Sequence, residues 1–181
     1  MRTFCIIFGF CLFVLVSYSQ TLVINSVSGK SVISYELRHP AHDVVGISRD
    51  LQIKIEYDKN KNQILNAIAQ VKVTTFNSGN SNRDSHAMEL IEAIKYPFAK
   101  FRSTKIVDYG DSLTIYGDLT FHNVTKNITI KAKKVINQNK IFIKGNFAIS
   151  LDQFNVERPK LLFVPSEEYL RFEFSCEFII N

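Results

Sequence analysis

Along most of this chain an apolar side chain stands at every second position, and no other feature of the sequence narrows the fold as far. Ile33, Tyr35, Leu37 and His39 form one such set, and Leu51, Ile53, Ile55 and Tyr57 the next. Leu65, Ala67, Ala69, Val71 and Val73 follow, then Leu113, Ile115, Gly117 and Leu119, then Ile128, Ile130 and Ala132. Ile141, Ile143, Gly145, Phe147, Ile149 and Leu151 make another, and Leu170, Phe172, Phe174, Cys176, Phe178 and Ile180 the last. Successive strand side chains point to opposite faces, so this period implies strands with one buried and one wet face. The links at 59–62, 109–111 and 137–139 are short and polar, as antiparallel hairpins require. One segment departs from the pattern. Ser81 followed by Asp84 reads as a capped helix start, and Met88 with Ile91, and Leu90 with Ile94, fall at helical spacings. Pro97 then forces Tyr96 out of helical geometry, so the helix is expected over Ser81–Ala93. The fold class is all-β: about eight antiparallel strands with one short helical excursion.

Residues 1–19 read as a cleavable export signal rather than as part of that fold. Arg2 supplies a short positive region, Phe4 to Val16 is apolar, and Ser17 and Ser19 occupy the small-residue cleavage positions. The apolar run is shorter than the ~20 residues a membrane span needs. One domain is expected over 20–181, exported to the periplasm or the cell exterior without stable membrane insertion. Cys5 and Cys11 leave with the signal, so Cys176 remains alone and no disulfide can form within the domain. The core must hold the chain by itself, which a domain of this size can do. The formal charge of +5 falls by one with Arg2, and the lysines are spread along polar strand faces, as in Ile128-Thr129-Ile130-Lys131-Ala132-Lys133. Nucleic-acid binding, which needs clustered basic residues with stacking aromatics, is not supported.

So many strands without a disulfide must pair as two sheets or close into a barrel. Ala67, Ala69, Gly117, Ala132 and Gly145 are small residues alternating with large aromatics on the inward faces. A solid core can use them to receive large side chains, and a barrel can use them to leave room for a ligand. The pattern alone leaves both open.

Polar constellations are few. His39 and His42 are three apart, which on one strand puts them on opposite faces, and they lack the further ligands a metal site needs. Arg83, Asp84 and His86 form the densest polar cluster. In a structural role Asp84 would cap the helix and Arg83 would pair with a carboxylate. In a functional role the cluster would meet a ligand's head group or the strand carrying His39. No Gly-x-Ser-x-Gly elbow is present, and Ser85 beside His86 is adjacent only in sequence, so an enzyme is not expected.

Three segments resemble the YceI-like family, the lipocalin-like polyisoprenoid-binding proteins. They are SVISYELRHPAHDVVG from Ser31 to Gly46, NRDSH from Asn82 to His86 with the Tyr96-Pro97 exit, and YGDLTFHNVTKNITI from Tyr116 to Ile130. ISLDQFNVERP from Ile149 to Pro159 is similar to the family's late strand and loop. Asn123 stands where the family usually has Gly, a position Asn tolerates in left-handed geometry.

The resemblance implies an extended lipocalin-like antiparallel barrel holding a long apolar lipid of the isoprenoid class, its polar head near the opening, with no cofactor required. Combined with the alternation, it gives Ala67, Ala69, Gly117, Ala132 and Gly145 as the residues that make the space. Tyr35, Phe147, Phe172 and Phe174 would line it, and His39, Arg83, Asp84 and His86 would stand near the head. The other reading is a secreted solid β-domain acting as an interaction module. A homodimer is compatible with either. If the export signal is cleaved as read, intact-mass analysis of the exported protein will find Gln20 at its amino terminus, and recovery of full-length chain in a membrane fraction would refute the cleavage.

Overall fold

The computed structural model describes residues 20–180; the export signal expected over 1–19 lies outside them. The chain begins with β1 (Thr21–Asn25), β2 (Val32–Leu37), β3 (Val44–Ser48), β4 (Gln52–Asp58) and β5 (Gln63–Lys72). Helix α1 (Ser81–Leu90) precedes β6 (Phe98–Asp108), β7 (Ser112–Phe121), β8 (Val124–Asn137) and β9 (Lys140–Ser150). A two-residue ribbon, β10 (Lys160–Leu161) and β11 (Val164–Pro165), leads into β12 (Tyr169–Ile179). The main sheet runs β1-β4-β5-β6-β7-β8-β9-β12-β2-β3, every neighbour antiparallel. It therefore holds ten strands rather than about eight.

The all-β, lipocalin-like class stands, and the extra strands have specific reasons. In β6 the inward positions are Ala99, Phe101 and Ser103, and a bulge at Ser103/Lys105 then shifts the register, so apolar alternation is broken. β1 and β3 are five residues each, too short to stand out as a period. A second bulge, at Glu56/Tyr57, pairs Tyr57 with Ile64 and Glu56 with Asn66. Leu65 is the extra residue and turns outward, while Ile64 takes the buried place expected for it.

The sheet curls until the chain leaving its edge strand β1 meets β12. Ser26 N–H donates to Ile53 O at 2.7 Å, and Ser26 Oγ accepts from Ile53 N–H at 3.0 Å. One residue on, Val27 N–H donates to Glu177 O at 2.8 Å, so the chain passes from β4 to β12. Near the opposite rim, Ile47 and Asn77 exchange two backbone hydrogen bonds of 3.0 Å. These bonds consume edge groups that would otherwise template aggregation.

At the end bearing the β4–β5, β6–β7 and β8–β9 hairpins, the shell is sealed by charge. Lys134 follows Ala132 on the inward face and its side chain is fully buried. Its Nζ donates to Asp108 Oδ2 at 2.5 Å and to Asn62 O at 2.7 Å. Asp108 Oδ2 also accepts from Ile64 N–H, and Oδ1 from Gly110 N–H, both at 2.9 Å. Tyr57 O–H donates to Asn62 Oδ1 at 2.7 Å, and burial, then Asp108 and Asp58, pushes that phenol's pKa up. Breaking a buried pair on one side strands the other charge, at about 3–5 kcal/mol. Lys134→Met is therefore expected to lower unfolding free energy by roughly 3 kcal/mol in urea titrations. Lys134→Met with Asp108→Asn should recover part of the loss, because the Asn carbonyl still accepts from Ile64 N–H; equal loss in both variants would show that the pair is not what seals this end.

Candidate functional site

The other end of the shell is covered by α1, the 38–43 loop and the β10–β11 ribbon, and beneath them lies space. An outer cavity of about 410 Å³ is walled by Leu37, Val73, Phe76, Met88, Ile91 and Leu170 among others. A smaller inner cavity of about 100 Å³ lies deeper, among Ile53, Ile55, Ala67, Ala69, Phe101 and Ile115. Among the described residues no charged group lines the inner one.

The boundary between them follows from register. Phe147 on β9, Phe172 on β12, Tyr35 on β2 and Gly46 on β3 are paired in one row across four strands. Phe147 and Phe172 stack with centroids 4.9 Å apart and planes 11° apart. Phe147 faces the inner cavity, Phe172 and Tyr35 the outer. Gly46 is required here because a Cβ would enter the Tyr35 ring. One row deeper, Phe174 pairs with Gly145, where a Cβ would come within 2.6 Å of its ring and 2.9 Å of the Ala132 Cβ. At Gly117 a Cβ would meet the Phe101 ring and the carbonyl of Arg102.

Sequence expectation and geometry thus part within one group. Ala67 and Ala69 line the inner cavity with Phe147 and Phe174. Gly117, Ala132 and Gly145 do not; they sit beneath or beside the aromatic side chains, and their smallness makes room for protein rather than for open space. Alternation shows that a residue points inward but not which side chain lies over it.

At the mouth, α1 starts one residue earlier in its capping than expected. Asn80 is the N-cap and accepts from Arg83 N–H at 3.1 Å, because its side chain precedes the first helical turn where Ser81 already belongs to it. Asp84 reaches back to Ser78 N–H at 3.2 Å instead of capping. Among the described residues Arg83 pairs with no carboxylate: Nε donates to Ser78 Oγ at 2.9 Å and Nη2 to Ser78 O at 2.8 Å. Glu92, at φ +46, ends the helical path, so Ile94 turns outward and is fully exposed instead of continuing the apolar face. Tyr35 beneath has its phenol pKa raised by burial and by Asp84, with Arg83 opposing.

Arg83 and His86 line the outer cavity; Asp84 does not. His39 lines it too, with Nε2 2.9 Å from Val164 O and Nδ1 accepting from Ala41 N–H at 3.1 Å. A carbonyl on one nitrogen and an N–H on the other select the neutral Nε2–H tautomer. His42 was expected on the opposite face. The strand ends at Leu37, the loop turns, and the two rings come to 6.0 Å, both on the cavity. Among the described residues no group of three His, Cys, Asp or Glu could hold a metal. The sequence reading missed Lys160 and Leu161, which the β10–β11 ribbon brings to the rim, and Phe101 on β6. Phe101 was visible as the middle of Ala99-x-Phe101-x-Ser103; the ribbon left no periodic signal.

Cys176 is buried and unpaired, its thiol pushed up to about 12, chiefly by burial. A thiol so held neither ionises nor attacks at neutral pH.

A curled antiparallel sheet around an apolar hollow, closed at one end and roofed at the other, is a lipocalin-like architecture. The YceI-like domain model matches residues 25–178, and the chain belongs to the YceI-like family. Among curated relatives, a UPF0312 protein of Vibrio parahaemolyticus is 47% identical over 68 residues, 36% of each chain. A UPF0312 protein of Vibrio vulnificus is 32% identical over 62% of each. Protein YceI of Escherichia coli is 27% identical over 57% of this chain and 56% of that one. These alignments span less than two thirds of the relatives' lengths.

Among solved structures, BcnA of Burkholderia cenocepacia superposes with TM-score 0.74 at 19% identity, over 84% of this chain and 98% of that one. A polyisoprenoid-binding domain of Saccharophagus degradans gives 0.68 at 10% identity, over 87% and 98%. At such identities the likeness is one of fold.

The inner cavity generates a test. Ala69→Phe would place a ring in open apolar space, so the ligand-free thermal midpoint should stay close to wild type while retention of a fluorescent prenyl probe is lost. In a solid core the same change would overpack, at about 1–3 kcal/mol; a strongly lowered midpoint would mean that no usable space exists there.

Proposed function

We propose that this chain is an exported, non-enzymatic binding protein that holds an apolar lipid of the isoprenoid class, tail inward and polar head at the mouth. One observation carries the reading: the hollow is charge-free in its depth, and the charged groups lining its outer part, Arg83 and Lys160, are both cationic. His39, His42, His86 and Asn80 add polar groups, and among the described residues no carboxylate lines the wall. An apolar chain gains about 0.8 kcal/mol for each methylene taken from water, so affinity needs only a dry wall. The rim selects the head, and its donors favour an acceptor-rich or anionic one such as a phosphate.

The outer cavity lies within the usual range of small-molecule sites, about 300–1,000 Å³. A tail long enough to reach the inner cavity must pass the Phe147–Phe172 row, so those rings would turn aside for it. Export rests on the signal-like residues 1–19, and periplasmic or extracellular residence would follow from it. A polyisoprenoid-binding domain among the structural neighbours agrees in kind with the ligand proposed. Thiol chemistry is not supported, because the one cysteine in the described residues is buried with its thiol pKa raised.

Organic extraction of the purified protein followed by mass spectrometry is expected to release a prenyl lipid; repeated recovery of lipid-free protein that also retains no added prenyl probe would favour the solid β-domain. Arg83 supplies the sharper test, because Nη1 has no protein hydrogen bond among the described residues while Nε and Nη2 are held by Ser78. Arg83→Met should weaken a prenyl phosphate by about ten-fold relative to the matching prenol, a loss equal to one charge-assisted hydrogen bond. Loosening of the Ser78–Asn80 turn would weaken both ligands alike, so an unchanged ratio would remove Arg83 from the head-group site.

A further inference from the structure

The ribbon at the rim presents a feature that cavity binding does not explain. Its two-residue turn is Leu162-Phe163, and both residues lie in the left-handed region, at φ +50 and +68. Turns of this kind favour Asn-Gly, because bulky side chains are strained there. Yet the turn carries two large apolar side chains, and they touch almost nothing: Leu162 is 83% and Phe163 98% exposed. The flanking Leu161 and Val164 are also exposed. The base is firm. Lys160 pairs with Glu157 at 2.8 Å, Arg158 with Asp152 at 3.3 Å, and His39 holds the carbonyl of Val164. Leu161 and Lys160 line the outer cavity, so whatever receives the tip lies at the cavity's entrance.

We infer that the Leu162–Phe163 tip docks the mouth onto a lipid bilayer, into which the two side chains insert while the lipid enters or leaves. The inference rests on the lipid-binding reading, since a carrier of an apolar lipid must exchange it with a membrane. Three observations favour a bilayer over a protein partner. The patch is a convex point, not a groove, and a fluid acyl phase needs no shaped complement. It is also small. An aromatic side chain buries about 150–250 Å², so the tip supplies on the order of half of the ~800 Å² per partner that a stable protein interface needs. Two cations, Arg83 and Lys160, line the cavity beside it, a charge that suits anionic lipid head groups. Shallow insertion of this kind reaches about 5–10 Å, enough for two side chains but not for the ribbon's backbone.

The chain contains no tryptophan, so Phe163→Trp is a reporter without background. Adding phosphatidylcholine vesicles, with or without phosphatidylglycerol, should shift its emission to the blue, and brominated acyl chains should quench it. Leu162→Asn with Phe163→Gly removes the apolar tip while suiting the turn, so this variant folds at least as well. It should lose vesicle association about ten-fold or more. It should also take up a fluorescent prenol from vesicles more slowly in proportion, yet retain the same probe as fully as wild type when loaded from detergent. Emission indifferent to vesicles, or equal uptake rates in the two proteins, would overturn the docking. So would a wild-type dimer that the Asn-Gly variant converts to monomer, which would make the tip a contact between two copies. Failure of both proteins to retain probe from detergent would strike the lipid-binding reading instead, and the emission shift would still decide the docking.

Discussion

The structure depends on how a sheet of ten strands disposes of its edges. Ser26 does this work at the seam, bonding to Ile53 with its backbone N–H and its hydroxyl, and handing the next residue to Glu177 of β12. Once the seam is made, every inward side chain faces another across a closed interior, and there are only two ways to treat that interior. It can be filled, or it can be left dry and lined. A row of aromatics alone cannot fill a widening shell, so the sequence places Gly or Ala opposite them. Where the opposite residue is Gly46, Gly117 or Gly145, a ring lies over it. Where it is Ala67 or Ala69, space is left.

The two ends of the shell are treated differently, and the difference gives the molecule its direction. At one end a fully buried lysine meets Asp108, whose carboxylate also accepts from the backbone. An apolar chain has no means of displacing a pair so completely satisfied, so that end is a floor. At the other end α1, the His39 loop and the β10–β11 ribbon roof the hollow through polar contacts near solvent. Elements held this way open at lower cost than core strands do. A ligand would enter here.

Among the described residues, the charge lining this cavity's wall is one-sided for a local reason. Asp84, the nearest acid in the Arg83 cluster, turns its carboxylate to Ser78 N–H and away from the cavity wall. Arg83 is anchored by the same residue. One serine therefore sorts the cluster, placing the cation on the wall and the anion behind it. The His39 tautomer is fixed by a similar division, a carbonyl on one ring nitrogen and an N–H on the other.

The all-β class, the antiparallel pairing and the three hairpins at the sealed end were legible in the chain, because strand faces and polar turns are local properties with a fixed period. The inward direction of Tyr35, Ala67, Ala69, Phe147, Phe172 and Phe174 came from the same rule, and the family was readable in four short segments. What lay over each inward residue was not, since that is set by register between strands distant in sequence: Phe174 over Gly145, Phe101 over Gly117. Two bulges moved Leu65 out and hid β6, because one inserted residue inverts every face that follows it. Alternation points Lys134 inward after Ile130 and Ala132, but only the fold brings Asp108, 26 residues away, to meet it. His42 joined His39 because the strand had already ended at Leu37, before either of them. Periodicity decides which way a side chain points; only the closed sheet decides what it meets there.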